Sequence, residues 1–285
     1  MSFAIQLRES LSPARLHLIL MPTEACNFRC VYCYESFRLR RMEPGVVRGV
    51  KQLLSRRAPG LEWLQIGWFG GEPLLARDVM EDVLDHVGEL RRRNPAMFFA
   101  SDATTNAWNL TPAVLERLTE RGLTRYQVAF DGPRAWHDRK RIRPGGLPTF
   151  DRVWGNLAAC RGSAAAFRIM VRLHVSAENL GSVGLFLDEY QNEFGSDSRF
   201  ELYIRGLSRL GGPNDAALPV LDGAEGRRII EGLRREAAGR GIRLADLGPG
   251  AAVCYAARAN SFLIRADGRV NKCTVALEHP NNQVG

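Results

Sequence analysis

Three cysteines within eight residues constrain this chain more than any other feature. Cys26, Cys30 and Cys33 form the run C-N-F-R-C-V-Y-C, directly after the apolar stretch at 16–21. Thiolates are ligands of zinc and of iron–sulfur clusters. A zinc site normally takes four ligands, in pairs such as C-x2-C, but no fourth cysteine or histidine follows within about fifty residues. Three thiolates on a four-iron cluster leave one iron open, which favours chemistry over a closed structural site.

The length, charge and composition of the chain set broad limits on its class. Its 285 residues, 45% of them hydrophobic, suffice for one large α/β domain and a smaller unit. No apolar run is long enough to cross a membrane and the N-terminus lacks a signal layout, so we expect a cytoplasmic protein without membrane contact. Six cysteines then indicate metal or redox chemistry rather than disulfides. The net charge of +8 has two interpretations: the chain binds an acidic partner, or its arginines are solvated at helix ends. We do not expect that partner to be nucleic acid.

Strand and helix patterns alternate through the first two thirds of the chain. Six apolar segments have the composition of strands, at residues 16–21, 61–69, 96–104, 125–130, 167–175 and 200–204. Helical periodicity or helix-capping residues mark the segments between them. Repeated strand–helix units predict parallel strands with right-handed crossovers. Six such units favour an α/β fold that forms an open, partial (β/α)6 barrel rather than a closed eight-stranded one.

Functional groups of such folds gather at the carboxyl ends of the strands, and polar motifs follow the strands here. The second strand runs into G-G-E-P at residues 70–73, where two glycines allow a sharp turn and a close approach to a ligand. The third strand ends in T-T-N at 104–106 and the fourth in A-F-D-G-P at 129–133. Because these ends lie on one rim, we expect the motifs and the cysteine loop to surround one pocket.

The cysteine spacing and the strand-end motifs together resemble those of the radical S-adenosylmethionine (radical SAM) enzymes, over about residues 15–285. The D-G-P run and the passage H-D…R…T-F-D at 137–151 are similar to the branch that modifies peptides and proteins. The resemblance implies a [4Fe-4S] cluster on Cys26, Cys30 and Cys33, with SAM chelated to the open iron. One electron from the cluster then cleaves SAM, and the resulting 5′-deoxyadenosyl radical removes a hydrogen from the substrate.

The same resemblance implies roles for matched residues around the cluster. The expected cofactor-binding residues are Tyr32, Gly70, Gly71, Glu72, Asn106, Asp131 and Arg141. Tyr32 would lie against the adenine, and the G-G-E segment would hold the methionyl end of SAM. Arg141, with Arg143 as the alternative, would pair with the SAM carboxylate because a guanidinium fork suits a carboxylate. The sequence names no catalytic residue.

Several positions keep a second interpretation. Asn106 could face the cofactor or form an ordinary turn before the next helix, and Asp131 could serve the SAM ribose or cap the turn that follows it. Ala129 stands where the related branch has a serine that is expected to bind the ribose, so this contact is missing or supplied elsewhere. On the fifth strand, Arg172 and His174 share one face, which points either into the barrel or towards solvent.

The last part of the chain carries a second pair of cysteines. Cys254 precedes an apolar segment at 261–265, a hairpin signal A-D-G at 266–268 and then Cys273. This resembles the opening of the SPASM or twitch extension, whose cysteines bind auxiliary iron–sulfur clusters. Two thiolates cannot complete a four-iron cluster, so we expect an auxiliary [4Fe-4S] cluster on Cys254 and Cys273 only if ligands come from elsewhere. The chain would then be a fragment or a shortened relative.

We therefore expect a radical SAM partial barrel at 1–205, a linker and helix at 206–250, and an incomplete SPASM/twitch β-hairpin unit at 251–285. The favoured function is crosslinking, epimerisation or side-chain oxidation of a peptide or protein, with an external electron donor. Because only about fifteen residues precede the first strand, leader-peptide binding would use the barrel or a separate protein. The alternatives are an inactive relative that keeps one cluster and a non-catalytic metal-binding or interaction protein.

Overall fold

The computed structural model describes residues 3–245 and 253–285 and has one mainly parallel β-sheet at its centre. The first six strands are β1 (Arg15–Leu20), β2 (Trp63–Trp68), β3 (Phe98–Thr105), β4 (Leu123–Phe130), β5 (Arg168–Val175) and β6 (Phe200–Gly206). Each pairs in parallel with the next along the chain, so the carboxyl ends of all six lie at one edge. The sheet does not close on itself, which confirms the predicted partial barrel.

One α-helix precedes β1, and the other α-helices of the described ranges lie in the connections between strands. The helices are α1 (Phe3–Leu11), α2 (Pro44–Arg57), α3 (Arg77–Arg93), α4 (Pro112–Glu120), α5 (Arg134–Lys140), α6 (Phe150–Cys160), α7 (Val183–Phe194) and α8 (Gly223–Gly239). The Thr111 hydroxyl caps α4 by accepting a hydrogen bond from the Val114 amide, as its sequence predicts. The sequence does not predict α1 and α5, which have nine and seven residues and are too short to show a clear helical period. Within the described ranges no helix is both long and apolar enough to cross a bilayer.

An aromatic cluster fixes α6 and α7 against the end of β4. The ring of Phe130 lies 5.7 Å from that of Phe150, 5.6 Å from that of Trp154 and 5.9 Å from that of Phe186. Phe130 and Phe186 are fully buried. Each buried aromatic side chain contributes roughly 1.5–3 kcal/mol to folding. The cluster therefore holds the carboxyl end of β4 firmly, and Asp131 follows directly after it.

The C-terminal hairpin extends the same sheet. β7 (Ser261–Ile264) pairs in parallel with β1, with His17 opposite Ser261, and β8 (Val270–Asn271) pairs antiparallel with β7. The complete strand order is β6-β5-β4-β3-β2-β1-β7-β8. The predicted hairpin is thus present, and it is continuous with the barrel sheet. Residues 246–252, where the expected linker and helix region meets the expected hairpin unit, lie outside the described residues, and the boundaries of the three expected regions stay a prediction.

Candidate active site

A cavity of about 380 Å³ opens at the carboxyl ends of the strands. The cysteine loop after β1 forms one side of it, and the ends of β4, β5 and β6 and the C-terminal hairpin form the other. The predicted residues in its wall are Cys26, Cys30, Cys33, Tyr32, Gly70, Gly71, Asn106 and Arg141. The fold therefore brings motifs from four successive strand ends together around one pocket.

The three thiols of the cysteine loop lie in this wall. Cys26, Cys30 and Cys33 are half-buried and none is in a disulfide. The Phe28 amide donates a hydrogen bond to Cys26 Sγ over 3.3 Å, and the Asn106 side-chain amide lies 3.8 Å from the same sulfur. Burial raises the pKa of Cys26 to about 12 and that of Cys33 to about 11. Thiols in these surroundings ionise readily only beside a cation.

The placement of the thiols fits an iron–sulfur cluster. A four-iron cluster takes one thiolate on each of the irons that the protein binds, and the three thiols of this loop line one cavity. Three thiols that share one cavity, with amide donors beside them, therefore suit a [4Fe-4S] cluster with one iron left open.

Backbone hydrogen bonds join the cysteine loop to the segment after α5. Arg29 N donates to Ile142 O over 2.6 Å, and Val31 N donates to Lys140 O over 2.9 Å. Arg141 lies between these two carbonyls and is therefore held against the loop. This pairing explains how a side chain more than one hundred residues from the cysteines in sequence enters the same site.

The two glycines after β2 are required by the close approach of the cysteine loop. Gly70 has a φ of +117°, and a Cβ at this position would overlap the Thr23 carbonyl oxygen. A Cβ on Gly71 would lie 2.5 Å from both the Glu24 and the Ala25 carbonyl oxygens. A side chain at either glycine would push the loop away from β2 and open the wall of the cavity.

Glu72 holds the ends of β2 and β3 together. Its side chain is fully buried and caps the 3-10 turn Pro73–Ala76 by accepting a hydrogen bond from Leu74 N over 3.0 Å. Thr105 Oγ1 donates to the same carboxylate oxygen over 2.7 Å, and Asn106 N donates to the other over 2.6 Å. The carboxylate does not reach the cavity wall, so its contact with the SAM ammonium stays a prediction.

Asn106 makes the expected turn and also lines the cavity, whereas its contact with the cofactor stays a prediction. Its side-chain oxygen accepts a hydrogen bond from Trp108 N over 2.9 Å, which makes the expected turn. Its side-chain nitrogen donates to Asn27 Oδ1 over 2.8 Å and points towards Cys26. One side chain therefore ends β3 and also contacts the cysteine loop.

A polar network centred on the Tyr32 hydroxyl lies beside the thiols. Tyr32 donates to Asp131 Oδ2 over 2.7 Å and accepts a hydrogen bond from Arg141 Nη1 over 2.9 Å. His174 Nδ1 lies 3.2 Å from the hydroxyl and 3.5 Å from Asp131 Oδ1. Arg172 Nε donates to His174 Nε2 over 2.8 Å. The shared face of Arg172 and His174 thus points into the barrel, as one of the two interpretations predicted.

The charge states in this network follow from burial and from the neighbouring groups. Burial lowers the pKa of His174 to about 4, so this imidazole is neutral at pH 7. Because its Nε2 atom accepts from Arg172, its proton lies on Nδ1, which faces Tyr32 and Asp131. Burial opposes the ionisation of Asp131, but His174 and Arg141 outweigh it and hold the pKa of the carboxyl below its usual range. Asp131 is therefore a buried anion whose oxygens face Tyr32 and His174.

Four other predicted residues lie outside the cavity wall: Asp131, Arg143, Cys254 and Cys273. The guanidinium of Arg143 stacks 4.4 Å from the centre of the Trp108 ring, so Arg141 is the better placed of the two candidates. Cys254 is exposed and Cys273 is half-buried, with the Tyr255 hydroxyl 4.0 Å from the Cys273 sulfur. An auxiliary cluster on these two thiols stays a prediction.

Other residues in the wall are ones that the sequence did not indicate. They include Glu35, Arg205, Ser208, Tyr255 and Thr274. One carboxylate oxygen of Glu35 is buried without a hydrogen-bond partner among the described residues, and burial beside Glu24 raises the pKa of Glu35 to about 8. Arg205 ends β6 as the other motifs end their strands, which is a signal the sequence analysis passed over. No local pattern places Tyr255 and Thr274 here, because they reach the cavity only through the β1–β7 pairing.

Comparison with known sequences identifies related proteins. Residues 20–179 match the family model described as the Radical SAM superfamily. A GTP 3′,8-cyclase of Marinobacter nauticus is 35% identical over 130 residues, which are 45% of this chain and 37% of that protein. A GTP 3′,8-cyclase of Yersinia pestis is 31% identical over 136 residues, which are 47% of this chain and 40% of that protein. The chain therefore spans less than half the length of these curated relatives.

Comparison with solved structures identifies the same architecture. Native anSMEcpe with bound AdoMet and Cp18Cys peptide superimposes with a TM-score of 0.68 at 18% identity, over 95% of this chain and 77% of that chain. Streptococcus suis SuiB bound to S-adenosylmethionine superimposes with a TM-score of 0.67 at 14% identity, over 99% of this chain and 65% of that chain. At these identities the likeness shows a shared fold.

Proposed function

This chain belongs to the radical SAM superfamily, and from that membership we propose that it reductively cleaves SAM in order to modify a peptide or protein. The family uses a [4Fe-4S] cluster and SAM. We place the chain in the SPASM/twitch branch, where the outcome would be a crosslink, an epimerisation or a side-chain oxidation. An external electron donor would reduce the cluster.

The convergence of three thiols, a glycine pair and a buried guanidinium on one cavity carries this proposal. When bound there, the cluster and SAM supply a 5′-deoxyadenosyl radical. The walls formed by β5, β6 and the hairpin are then left to contact the substrate. The protein's own task is to position the substrate hydrogen and to exclude water.

We assign the SAM carboxylate to Arg141. Its Nη1 atom donates to the Tyr32 hydroxyl, whereas its Nε atom is buried without a hydrogen-bond partner in the described part of the chain. A buried donor that lacks a partner is unfavourable, so a ligand acceptor at this position would be stabilising. The guanidinium also lies 5.7 Å from the centre of the Phe28 ring, which limits its orientation.

The network beneath Tyr32 would hold its ring in one orientation against the adenine. The hydroxyl is fixed from three directions by Asp131, Arg141 and His174. The His174 ring also packs against the Tyr32 ring edge to face, with centroids 5.3 Å apart. A phenol held this way loses little conformational freedom when a ligand stacks on it.

The fold neighbours support a peptide substrate. Structures that resemble this chain over most of its length include complexes with the Cp18Cys peptide and with the precursor peptide SuiA. The curated relatives are named GTP 3′,8-cyclase and match less than half of this chain. Modification of GTP is therefore a second candidate function. It is favoured by the 35% sequence identity to the GTP 3′,8-cyclase, although that match covers only 45% of this chain.

The decisive experiment measures 5′-deoxyadenosine. The protein is reconstituted anaerobically with iron and sulfide, reduced with dithionite and given SAM, and the nucleoside is quantified by mass spectrometry. Cys30→Ala removes a proposed cluster ligand and should abolish the product. Cys160→Ala makes the same change at a buried thiol outside the cavity and should retain it.

Each outcome of this experiment distinguishes the proposed function from one of its alternatives. Nucleoside from the wild type and from Cys160→Ala, but not from Cys30→Ala, would support the proposal. Four-iron absorbance without nucleoside would favour an inactive relative that keeps one cluster. Zinc bound in place of iron would favour a non-catalytic metal-binding protein and would overturn the proposal.

A further inference from the structure

Two arginines without an acidic partner lie side by side in the cavity wall. Arg172 on β5 pairs in register with Tyr203 on β6, and Arg205 pairs with His174, so the two arginines occupy diagonal positions on neighbouring strands, and both line the cavity. Arg172 donates to the imidazole of His174 but to no carboxylate, and Arg205 is exposed to the cavity. Among residues 3–245 and 253–285, neither arginine forms an ion pair.

The surroundings of these arginines are unfavourable for positive charge. Burial and the neighbouring charge of Arg205 lower the pKa of Arg172 below its usual range. Glu35 is the acidic side chain in the cavity wall, and among the described residues it forms no ion pair with either arginine. A largely buried guanidinium that lies near a second positive charge and has no counter-ion is stabilised when an anion binds between the two. The substrate region of the cavity therefore selects for negative charge.

The positive surface continues beyond the cavity into an open groove. This groove has a volume of about 540 Å³ and shares the segment 205–208 with the cavity. Its charged residues are Arg205, Arg209, Arg227, Arg234, Asp222 and Glu231. Arg209 pairs with Asp222 over 3.1 Å, and Arg234 donates to the Ile204 carbonyl. Arg227 has no acidic partner in the described part of the chain. With four arginines against Asp222 and Glu231, the groove is net positive.

Apolar side chains lie among these charges in the walls of the groove. Leu207, Leu221 and Ile230 form part of its walls. A chain of phosphate groups needs hydrogen-bond donors at each phosphate. A peptide instead presents both apolar and charged side chains. The mixed lining and the extension of the groove away from the cavity therefore favour a peptide over a nucleotide.

We infer that the substrate is an acidic peptide, one of whose carboxylates binds between Arg172 and Arg205 while the flanking residues lie in the groove beside α8. This inference rests on the proposed function and specifies its substrate class. Arg172 and Arg205 are specificity-determining residues in this scheme. Arg141 remains assigned to SAM, because its guanidinium is held under the cysteine loop.

Fluorescence anisotropy with three probes tests the inference on the reconstituted protein with SAM. Two labelled peptides of equal length are compared, one of alternating Glu and Leu and one of alternating Lys and Leu. Unlabelled GTP is the third reagent, added as a competitor. We expect the acidic peptide to bind at least about tenfold more tightly than the basic one. Its affinity should fall as salt is raised, because partly exposed ion pairs are screened.

Substitutions locate the site. Arg172→Gln and Arg205→Gln should each weaken binding of the acidic peptide by about five- to tenfold. Arg92→Gln removes one exposed charge at the end of α3, far from the groove in sequence and in fold, and should leave the affinity unchanged. Arg205→Glu should reverse the preference and favour the basic peptide. Absorbance of the cluster confirms that each variant folds.

The possible failures are distinguishable. If SAM is cleaved but the two peptides bind equally, or if Arg92→Gln loses as much affinity as Arg172→Gln and Arg205→Gln, the inference is wrong and the proposed function stands. Displacement of the acidic peptide by micromolar GTP, with GTP binding dependent on Arg172 and Arg205, would assign the two arginines to a nucleotide and overturn the peptide. If SAM is not cleaved, the proposed function fails, whatever the peptide result.

Discussion

The guanidinium of Arg265 forms a two-point ion pair with the carboxylate of Glu24, at 2.8 and 2.7 Å, and both side chains are buried. Arg265 directly follows β7, whereas Glu24 lies two residues before Cys26. Glu278 adds a further contact to Arg265 at 2.8 Å. The pair therefore fastens the C-terminal hairpin to the loop that carries the thiols, in addition to the β1–β7 pairing.

Replacing Arg265 with methionine should lower the free energy of unfolding by about 3–5 kcal/mol, because Glu24 is left buried without a counter-charge. Urea denaturation measures this loss. Arg269→Met removes an arginine of the same turn whose partner Asp267 is partly exposed, and it should cost less than about 1 kcal/mol. Adding Glu24→Gln to Arg265→Met should recover part of the stability. Equal losses for the two arginine variants would contradict a special role for the buried pair.

Gly71→Ala should prevent proper assembly of the cluster site. The new Cβ would lie 2.5 Å from two carbonyl oxygens of the cysteine loop, so the loop must move. Iron content and absorbance after reconstitution should both fall, together with the stability. The matched control is Gly49→Ala within α2, where a Cβ meets nothing within 4 Å and the helix should gain about 0.5–1 kcal/mol. Normal iron content in Gly71→Ala would show that the loop tolerates the displacement.

Glu72→Gln should destabilise the protein by about 1–3 kcal/mol. In the wild type both carboxylate oxygens accept hydrogen bonds, so in the variant the side-chain NH2 group must face one of these backbone or hydroxyl donors. Urea denaturation and calorimetric titration with SAM measure stability and affinity separately. Glu62→Gln, at an exposed position before β2, is the control and should change neither. Unchanged stability with lost SAM binding would show that the Glu72 carboxylate contacts SAM directly.

Histidines that are buried in the neutral form should make the protein less stable in acid. Burial lowers the pKa of His17 and His174 from 6.5 to about 4, and that of His137 to about 3. Below pH 6.5 the unfolded chain binds protons at these sites while the folded protein does not, so the free energy of unfolding falls as the pH falls towards 4. Each site adds a slope of up to about 1.4 kcal/mol per pH unit.

The slope can be assigned to one imidazole. His17→Asn should make the pH dependence shallower by about one proton, as measured by urea denaturation at a series of pH values. An unaltered slope in His17→Asn would mean that this imidazole is already protonated in the folded protein.

Local patterns in the sequence account for most of the fold. Apolar or alternating segments predicted all six barrel strands to within a few residues, because the pattern of a strand depends on residues that are neighbours in sequence. The Thr111 cap and the prolines at the helix starts act within one turn, so they were readable as well. The path of β7 was not, since its pairing with β1 joins segments that lie more than two hundred residues apart in sequence.

The residues of the candidate site also fall into two groups: those that local sequence motifs predicted and those whose contacts depend on the fold. The three cysteines, the glycine pair and Arg141 belong to motifs of fixed spacing, and these residues do line one cavity. The direction of the Glu72 carboxylate could not be predicted, because Thr105 and Asn106 on another strand satisfy it. The network of Tyr32 was hidden for the same reason.

The sequence by itself determined the order of strands and helices and the positions of the thiols, because those depend on residues a few positions apart. Only the tertiary structure decided that Arg172 and Arg205 share a cavity without a counter-ion and that Arg265 reaches Glu24. Such relationships depend on which strands become neighbours and on how their side chains share a buried volume, and no short stretch of sequence contains that information.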